Sequence, residues 1–274
     1  MTECGRGLSD AEALYVFAVC KEPDPAVIAD LRGVAMGEPL RPLGFAELTA
    51  IVQTVRAADF TDEAWQARMA DRSELERYAR AHHHVVSEAA ASCPTVPLPL
   101  ATLYHGEERA RRALLAETGR FRAALERTAG RCEWGVKVYA GEPPAPDPDA
   151  SPRPPEGQGV AAGGARPAPG AGLAYLERKR GVQARRERRQ EDALRSAETV
   201  DAAFRKVAAA GRRLRLQAAE SPGKGRLQVL NATYLVGESR SAELEELART
   251  LRAETGAQIE ISGPWVPYSF VGEV

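Results

Sequence analysis

Apolar residues along this chain change period repeatedly, and each change marks an element. Leu14-Tyr15-Val16-Phe17-Ala18-Val19-Cys20 is apolar at every position and rich in β-branched and aromatic side chains. That run predicts a strand buried on both faces. Lys21 to Pro25 ends it, because proline cannot continue a ladder, and the polar opening up to about Asp10 reads as frayed. Over residues 43–59, Leu48, Ile51, Val52 and Val55 fit a strand, a short helix, or one after the other. From Ser73 to Ala91 the period becomes helical: Leu75, Tyr78, Ala79, His82, Val86, Ala89 and Ala90 share a stripe. Ser73 is the expected cap and Cys93-Pro94 the stop. Thr95 to Leu100, with two prolines, predicts an extended edge strand. Ala110, Ala113, Leu114, Phe121, Ala124, Leu125 and Thr128 then predict a single helix over 106–128, closed by Gly130.

Cys132 to Tyr139 alternates as a strand, with Cys132, Trp134, Val136 and Val138 on one face and Glu133, Gly135, Lys137 and Tyr139 on the other. Residues 142–170 hold nine of the chain's 19 prolines and almost no large apolar side chain. Such a stretch cannot offset its ordering entropy and is expected to be a disordered loop. A charged helix is expected over 172–219. Its first half, with Arg178, Lys179, Arg180, Arg185, Arg186, Arg188 and Arg189, should project into solvent or against a partner. Its second half should pack through Leu194, Ala197, Val200, Phe204 and Val207. The final block predicts a strand over 226–236, a helix capped by Ser241 with Leu244, Leu247, Ala248 and Leu251 on one face, a stop at Gly256, and a strand through Ile259 and Ile261. The order β-α-β-α-β is that of a ferredoxin-like α+β sandwich lacking its final strand, or completed elsewhere.

Composition narrows the chemistry. A formal net charge of -1 favours neither nucleic acid nor membrane through the whole-protein field. No run of about 18 apolar residues exists, and no basic segment followed by an apolar one opens the chain, so a cytoplasmic protein is expected. The four cysteines, Cys4, Cys20, Cys93 and Cys132, form no C-x-x-C pair and read as small apolar fillers. His82-His83-His84 cannot serve one metal, because successive helical side chains diverge by about 100°. His82 falls on the apolar stripe, and His83 and His84 point away. Ser221-Pro222-Gly223-Lys224-Gly225 lacks the spacing of a phosphate loop and precedes a strand, so it reads as a turn. Every carboxylate falls on an expected polar face, and no acid–base pair stands out. These observations point to a binding protein with no catalytic residue, metal or cofactor. The basic stretch over 178–189 offers an alternative, a nucleic-acid-binding regulator. Interleaved Glu177, Glu187, Glu191 and Asp192, and the absence of aromatic residues, count against it.

The C-terminal Gly263-Pro264-Trp265-Val266-Pro267-Tyr268-Ser269-Phe270-Val271 is the most unusual feature. Its three aromatics bring roughly 1.5–3 kcal/mol each if fully covered. It should therefore dock as an extended strip on its own protein or on a partner. It resembles the G-P-W-P-P-Y-S-F closing signature of the gas vesicle protein F/L family. Other pieces match in order: Tyr15-Val16-Phe17; His82 with Val85-Val86; Val96 to Tyr104; Cys132 to Val138, similar to E-W-G-V-K; Gly172 to Lys179, similar to G-x-x-Y-L-x-x-K; and Asn231 to Val236, similar to N-x-x-Y-L-V. Val266 departs from the signature's proline, and Pro99-Leu100-Ala101 replaces the R-F-G of the V-L-P-L-R-F-G-T-V segment that Val96 to Tyr104 resembles.

The resemblance implies an N-terminal α+β domain over 1–130 and a C-terminal ferredoxin-like domain over 131–274. It also implies a non-enzymatic role in gas vesicle assembly, with the main shell protein and other accessory gas-vesicle proteins as partners. No cofactor, nucleic acid, lipid membrane or small-molecule ligand is expected. The signature positions Gly263, Pro264, Trp265, Pro267, Tyr268, Ser269, Phe270, Tyr175, Glu177 and Lys179 become the candidate contact residues.

Overall fold

The computed structural model describes residues 12–140, 171–216 and 227–272, without the side chains of 171–178 and 186. The residues expected to form a frayed opening, a loop over 142–170 and a turn at Ser221 lie outside the described residues. The chain divides into two compact units that are not contiguous in sequence. One gathers the described residues up to Trp134, Leu235–Ser241 and the tail from Ser262; the other holds Gly135–Tyr234 and Ala242–Ile261.

In the first unit, β1 (Glu12–Cys20) is the central strand. It pairs antiparallel with β3 (Leu48–Arg56), β4 (Thr95–Pro97) and β5 (Leu103–Tyr104), and β2 (Leu40–Phe45) pairs with β3. The strand-or-helix alternatives over 43–59 thus resolve into a hairpin followed by a short 3-10 turn, Ala57–Phe60. Leu14 to Cys20 are all 0% exposed, as a strand buried on both faces requires. A register shift between Val16 and Ala18 changes the parity of the strand. Leu14, Val16 and Val19 therefore share one core with Ala110, Leu114, Phe121, Ala124 and Leu125. Tyr15, Phe17 and Cys20 share the other with Ile28, Tyr78, Val85, Val86 and Ala89.

The helices of this unit correct two expectations and add two elements. α1 (Pro25–Asp30) and α2 (Asp62–Ala70) carry no clear periodic signal in the sequence. α3 (Arg72–Ser92) is capped by Asp71, not Ser73: its carboxylate accepts the Ser73 and Glu74 amides at 2.9 and 3.2 Å. The helix expected over 106–128 is two, α4 (Glu107–Ala116) and α5 (Thr118–Thr128), broken at Glu117, whose φ and ψ of -97 and 7° leave the helical region. Gly130, at φ +62°, ends α5 as expected.

A four-stranded sheet has the order β7-β8-β6-β9, formed by β6 (Arg131–Tyr139), β7 (Ala210–Arg213), β8 (Gln228–Gly237) and β9 (Gln258–Trp265). Two further helices are α6 (Ala171–Val207) and α7 (Ser241–Thr255). α6 stops 12 residues short of the expected end at residue 219, and the chain turns into β7. Gly211 makes that strand possible, since a Cβ there would meet the Tyr234 ring at 2.9 Å. Ala197, Val200 and Phe204 are buried as expected, but Leu194 is 48% exposed. The Ser241 hydroxyl, at the start of α7, donates to the Glu238 carbonyl at 2.9 Å. Asp201 is buried on α6, against the expectation that every carboxylate falls on a polar face. It accepts the Tyr234 hydroxyl at 2.5 Å, Arg205 Nε at 3.1 Å and Arg213 Nε at 2.9 Å.

Candidate partner-binding surface

The tail docks on its own unit. β9 runs as far as Trp265, and a short 3-10 turn, Tyr268–Phe270, follows it. Val266 and Tyr268 pack on the core that includes α3, and Val271 on the core that includes α4 and α5. The strap is also held by polar contacts. Both carboxylate oxygens of Glu133 are engaged by Ser269, through its amide at 2.8 Å and its hydroxyl at 2.6 Å. Arg127 Nε donates to the Phe270 carbonyl at 3.0 Å. Glu133 is only 7% exposed, although alternation along β6 puts it on the expected polar face. Gly263 meets a steric demand: at φ +146°, a Cβ would lie 2.9 Å from the Glu133 carbonyl oxygen and from the Trp134 ring.

α3 supplies the floor under the strap. His82 Nε2 lies 3.1 Å from the Leu98 carbonyl, which can only accept, so this nitrogen carries the proton. Its Nδ1 therefore accepts the Tyr15 hydroxyl at 2.9 Å, and the Tyr15 oxygen accepts the Ala101 amide at 3.0 Å. Burial pushes the His82 pKa down to about 4, overcoming the opposing pull of the Leu98 carbonyl. His82 is thus a neutral core residue, in keeping with its place on the stripe. His83 departs from expectation: it is partly buried, and its ring lies 5.8 Å from Trp265 and 6.1 Å from Tyr268.

Beside the strap runs a groove of about 680 Å³. Its walls come from α3 (His83, Ser87, Ala90, Ala91), the end of α5 (Leu125, Ala129) and the tail from Pro264 to Pro267. Trp265, at its rim, is 48% exposed. The small side chains of Ala90, Ala91 and Ala129 leave room for another chain's side chains, and the half-covered indole offers apolar area with a polar N–H.

The structure therefore gathers the seven tail candidates on one surface and gives them different tasks. Gly263, Pro267, Tyr268, Ser269 and Phe270 lie against their own unit, whereas Pro264 and Trp265 face outward. Lys179 is exposed on α6, in the other unit. Tyr175 and Glu177 lie outside the residues whose side chains are described. Sequence reasoning missed Glu133, Arg127 and His83. The one signal for Glu133 was a lone acid set between Cys132 and Trp134. Among the described residues, no cluster of three or more His, Cys, Asp or Glu side chains is placed to hold a metal, and no helix is long and apolar enough to cross a membrane.

Residues 13–272 match the family described as Gas vesicle synthesis protein GvpL/GvpF. The chain belongs to this family. This GvpL/GvpF chain is 38% identical over 263 residues to Gas vesicle protein L from Streptomyces sp. (strain CB03234), covering 94% of this chain and 92% of that protein. Its fold is similar to the crystal structure of GvpF from Anabaena sp. PCC7120, with a TM-score of 0.63, 14% identity and 96% and 97% of the two chains covered. GvpF from Microcystis aeruginosa is similar at a TM-score of 0.59 and 14% identity, with 95% and 99% covered. Family membership supports a role in gas vesicle formation.

Proposed function

We propose that this GvpL/GvpF chain is a cytoplasmic, non-enzymatic assembly factor that binds the main gas vesicle shell protein, and other accessory gas-vesicle proteins, while the vesicle forms. The observation that carries the reading is the groove beside the strap, small-walled on α3 and rimmed by a half-exposed Trp265. A small hydrophobic subunit needs such a surface to be held before it joins a shell. In this reading residues 131–274 form a ferredoxin-like domain. The strand order β7-β8-β6-β9, with α6 following β6 and α7 following β8, supports it.

The test is a pull-down of the full chain co-expressed with the shell protein and each accessory protein, repeated with Trp265→Ala and Ala91→Glu. Both positions are exposed enough that melting should not change. Capture by the parent chain, reduced at least about tenfold in both variants, supports the reading; a tenfold loss corresponds to about 1.4 kcal/mol. Capture of no gas-vesicle protein sinks it. The basic stretch of α6 would then be tested against DNA. Lys179, Arg180, Arg185, Arg188 and Arg189 are exposed, as are Glu187, Glu191 and Asp192 among them.

A further inference from the structure

Two cysteines far apart in sequence, Cys20 and Cys93, meet in the first unit. Cys20 ends β1 and pairs with Thr95 of β4, and Cys93 caps the C-terminus of α3 two residues before Thr95. The Cys93 thiol donates to the Ala89 carbonyl at 3.4 Å, and its own backbone carbonyl accepts from Thr95 Oγ1 at 2.9 Å. Cys20 Sγ lies 3.4 Å from that oxygen and Cys93 Sγ 3.6 Å. The chain is pinned around the pair, since the Lys21 amide donates to the Pro94 carbonyl at 3.0 Å. The two thiols differ in access. Cys20 is 0% exposed, whereas Cys93 is partly exposed and forms part of the groove wall. Cys132 lines the same groove as Cys93, with its thiol directed at the Val236 carbonyl at 3.6 Å.

We propose that Cys93 and Cys20 form a hydroperoxide-sensitive dithiol, in which Cys93 is attacked first and Cys20 resolves it to an intramolecular disulfide. The Cys93 thiolate attacks one oxygen of the peroxide and the O–O bond breaks. The products are Cys93 sulfenic acid and hydroxide, which takes up a proton to become water. Cys20 loses its proton and attacks the sulfenic sulfur, the S–O bond breaks, and a second water leaves. Two thiols are oxidised by two electrons and one peroxide is reduced. The order of attack follows from access: solvent stabilises a thiolate at Cys93 better than at the enclosed Cys20. The neighbouring Cys20 S–H favours ionisation of Cys93, while burial and the carbonyl end of α3 oppose it. The second step needs no solvent access, because the resolving thiol is already beside its target. This chemistry does not depend on what occupies the groove.

The test treats the full-length protein with hydrogen peroxide, then alkylates free thiols and maps peptides by mass. The parent chain should lose two hydrogens, reversibly with dithiothreitol, and the peptide carrying Cys20 should be linked to the one carrying Cys93. Cys20→Ser should stop at a Cys93 sulfenic acid that dimedone captures, and Cys93→Ser should leave Cys20 unmodified. The parent map alone can overturn the proposal, whether or not either variant folds. It does so if both thiols stay reduced, if Cys93 proceeds to sulfinic acid without a cross-link, or if either cysteine bridges to Cys4 or Cys132.

Discussion

Replacing Glu133 with alanine should release the C-terminal strap while leaving both cores of the first unit in place. Glu133 accepts two hydrogen bonds from Ser269, at 2.8 and 2.6 Å, in a setting where it is 7% exposed. Bonds to a charged group contribute about 1.5–3 kcal/mol each. Removing the carboxylate also removes its desolvation penalty, and the freed Ser269 hydroxyl can be rehydrated, so the net loss is roughly 2–4 kcal/mol. The partly buried Val266, Tyr268 and Val271 supply a hold of about 1 kcal/mol each, half the value for full burial. The polar and apolar holds are therefore comparable, and losing the first should raise the open population roughly 30- to 1,000-fold. Hydrogen exchange reads this directly. The Tyr268, Ser269 and Phe270 amides, bonded to Val266, Glu133 and Pro267, should exchange faster by that factor. Amides of β1 and β3 should keep their parent rates. Unchanged exchange at Ser269, or equal acceleration in β1 and β3, would refute the reasoning.

Two further outcomes follow from buried ionisable groups. His82 has its pKa pushed down to about 4 from 6.5 by burial, so the unfolded chain takes a proton that the native one refuses. Its contribution is fully present above about pH 6.5 and is lost as pH falls toward 4, by up to roughly 3 kcal/mol; urea midpoints at pH 7 and 5 should show a slope that His82→Asn lacks. For Asp201, burial raises the pKa, but the Tyr234 hydroxyl, Arg213 and Arg205 together outweigh it and hold the carboxyl below its usual range. Asp201→Ala should destabilise the second unit by about 2–3 kcal/mol, below the usual 3–5 for a broken buried pair because Arg205 and Arg213 reach solvent, and urea unfolding should register the loss.

Elements with a strong local period were legible in the sequence. β1, α3, β6, β8 and α7 carry either unbroken β-branched runs or clean helical stripes, and each appears within a few residues of its expected place. The misses came from forces that a local pattern does not contain. The break at Glu117 leaves Ala110 and Leu114 on the same core as Phe121, Ala124 and Leu125, so two helices present the stripe of one. β7 is Ala-Gly-Arg-Arg, with no β propensity of its own. It forms because Gly211 can approach the Tyr234 ring and because Arg213 reaches Asp201. Alternation put Glu133 on the open face of β6, and nothing nearby revealed that Ser269, 136 residues later, would cover it. Nor does any local pattern join Cys20 to Cys93: only the pairing of β1 with β4 brings them together.

The tail was recognisable as a signature, but the sequence could not separate its two uses. Gly263 must lack a Cβ because the backbone of Glu133 occupies that space, and Ser269 is tied to the same residue's carboxylate. Substitution at either position would loosen the strap whether or not the tail touches a partner. Loss of partner capture in such a variant would therefore say little about contact. Trp265 differs, because half of its surface is already in water and its removal leaves the Glu133, Arg127 and core contacts of the strap intact. A binding defect at Trp265 with unchanged exchange at Ser269 would assign contact to the rim of the groove. The same defect at Ser269 with accelerated exchange would assign it only to the fold.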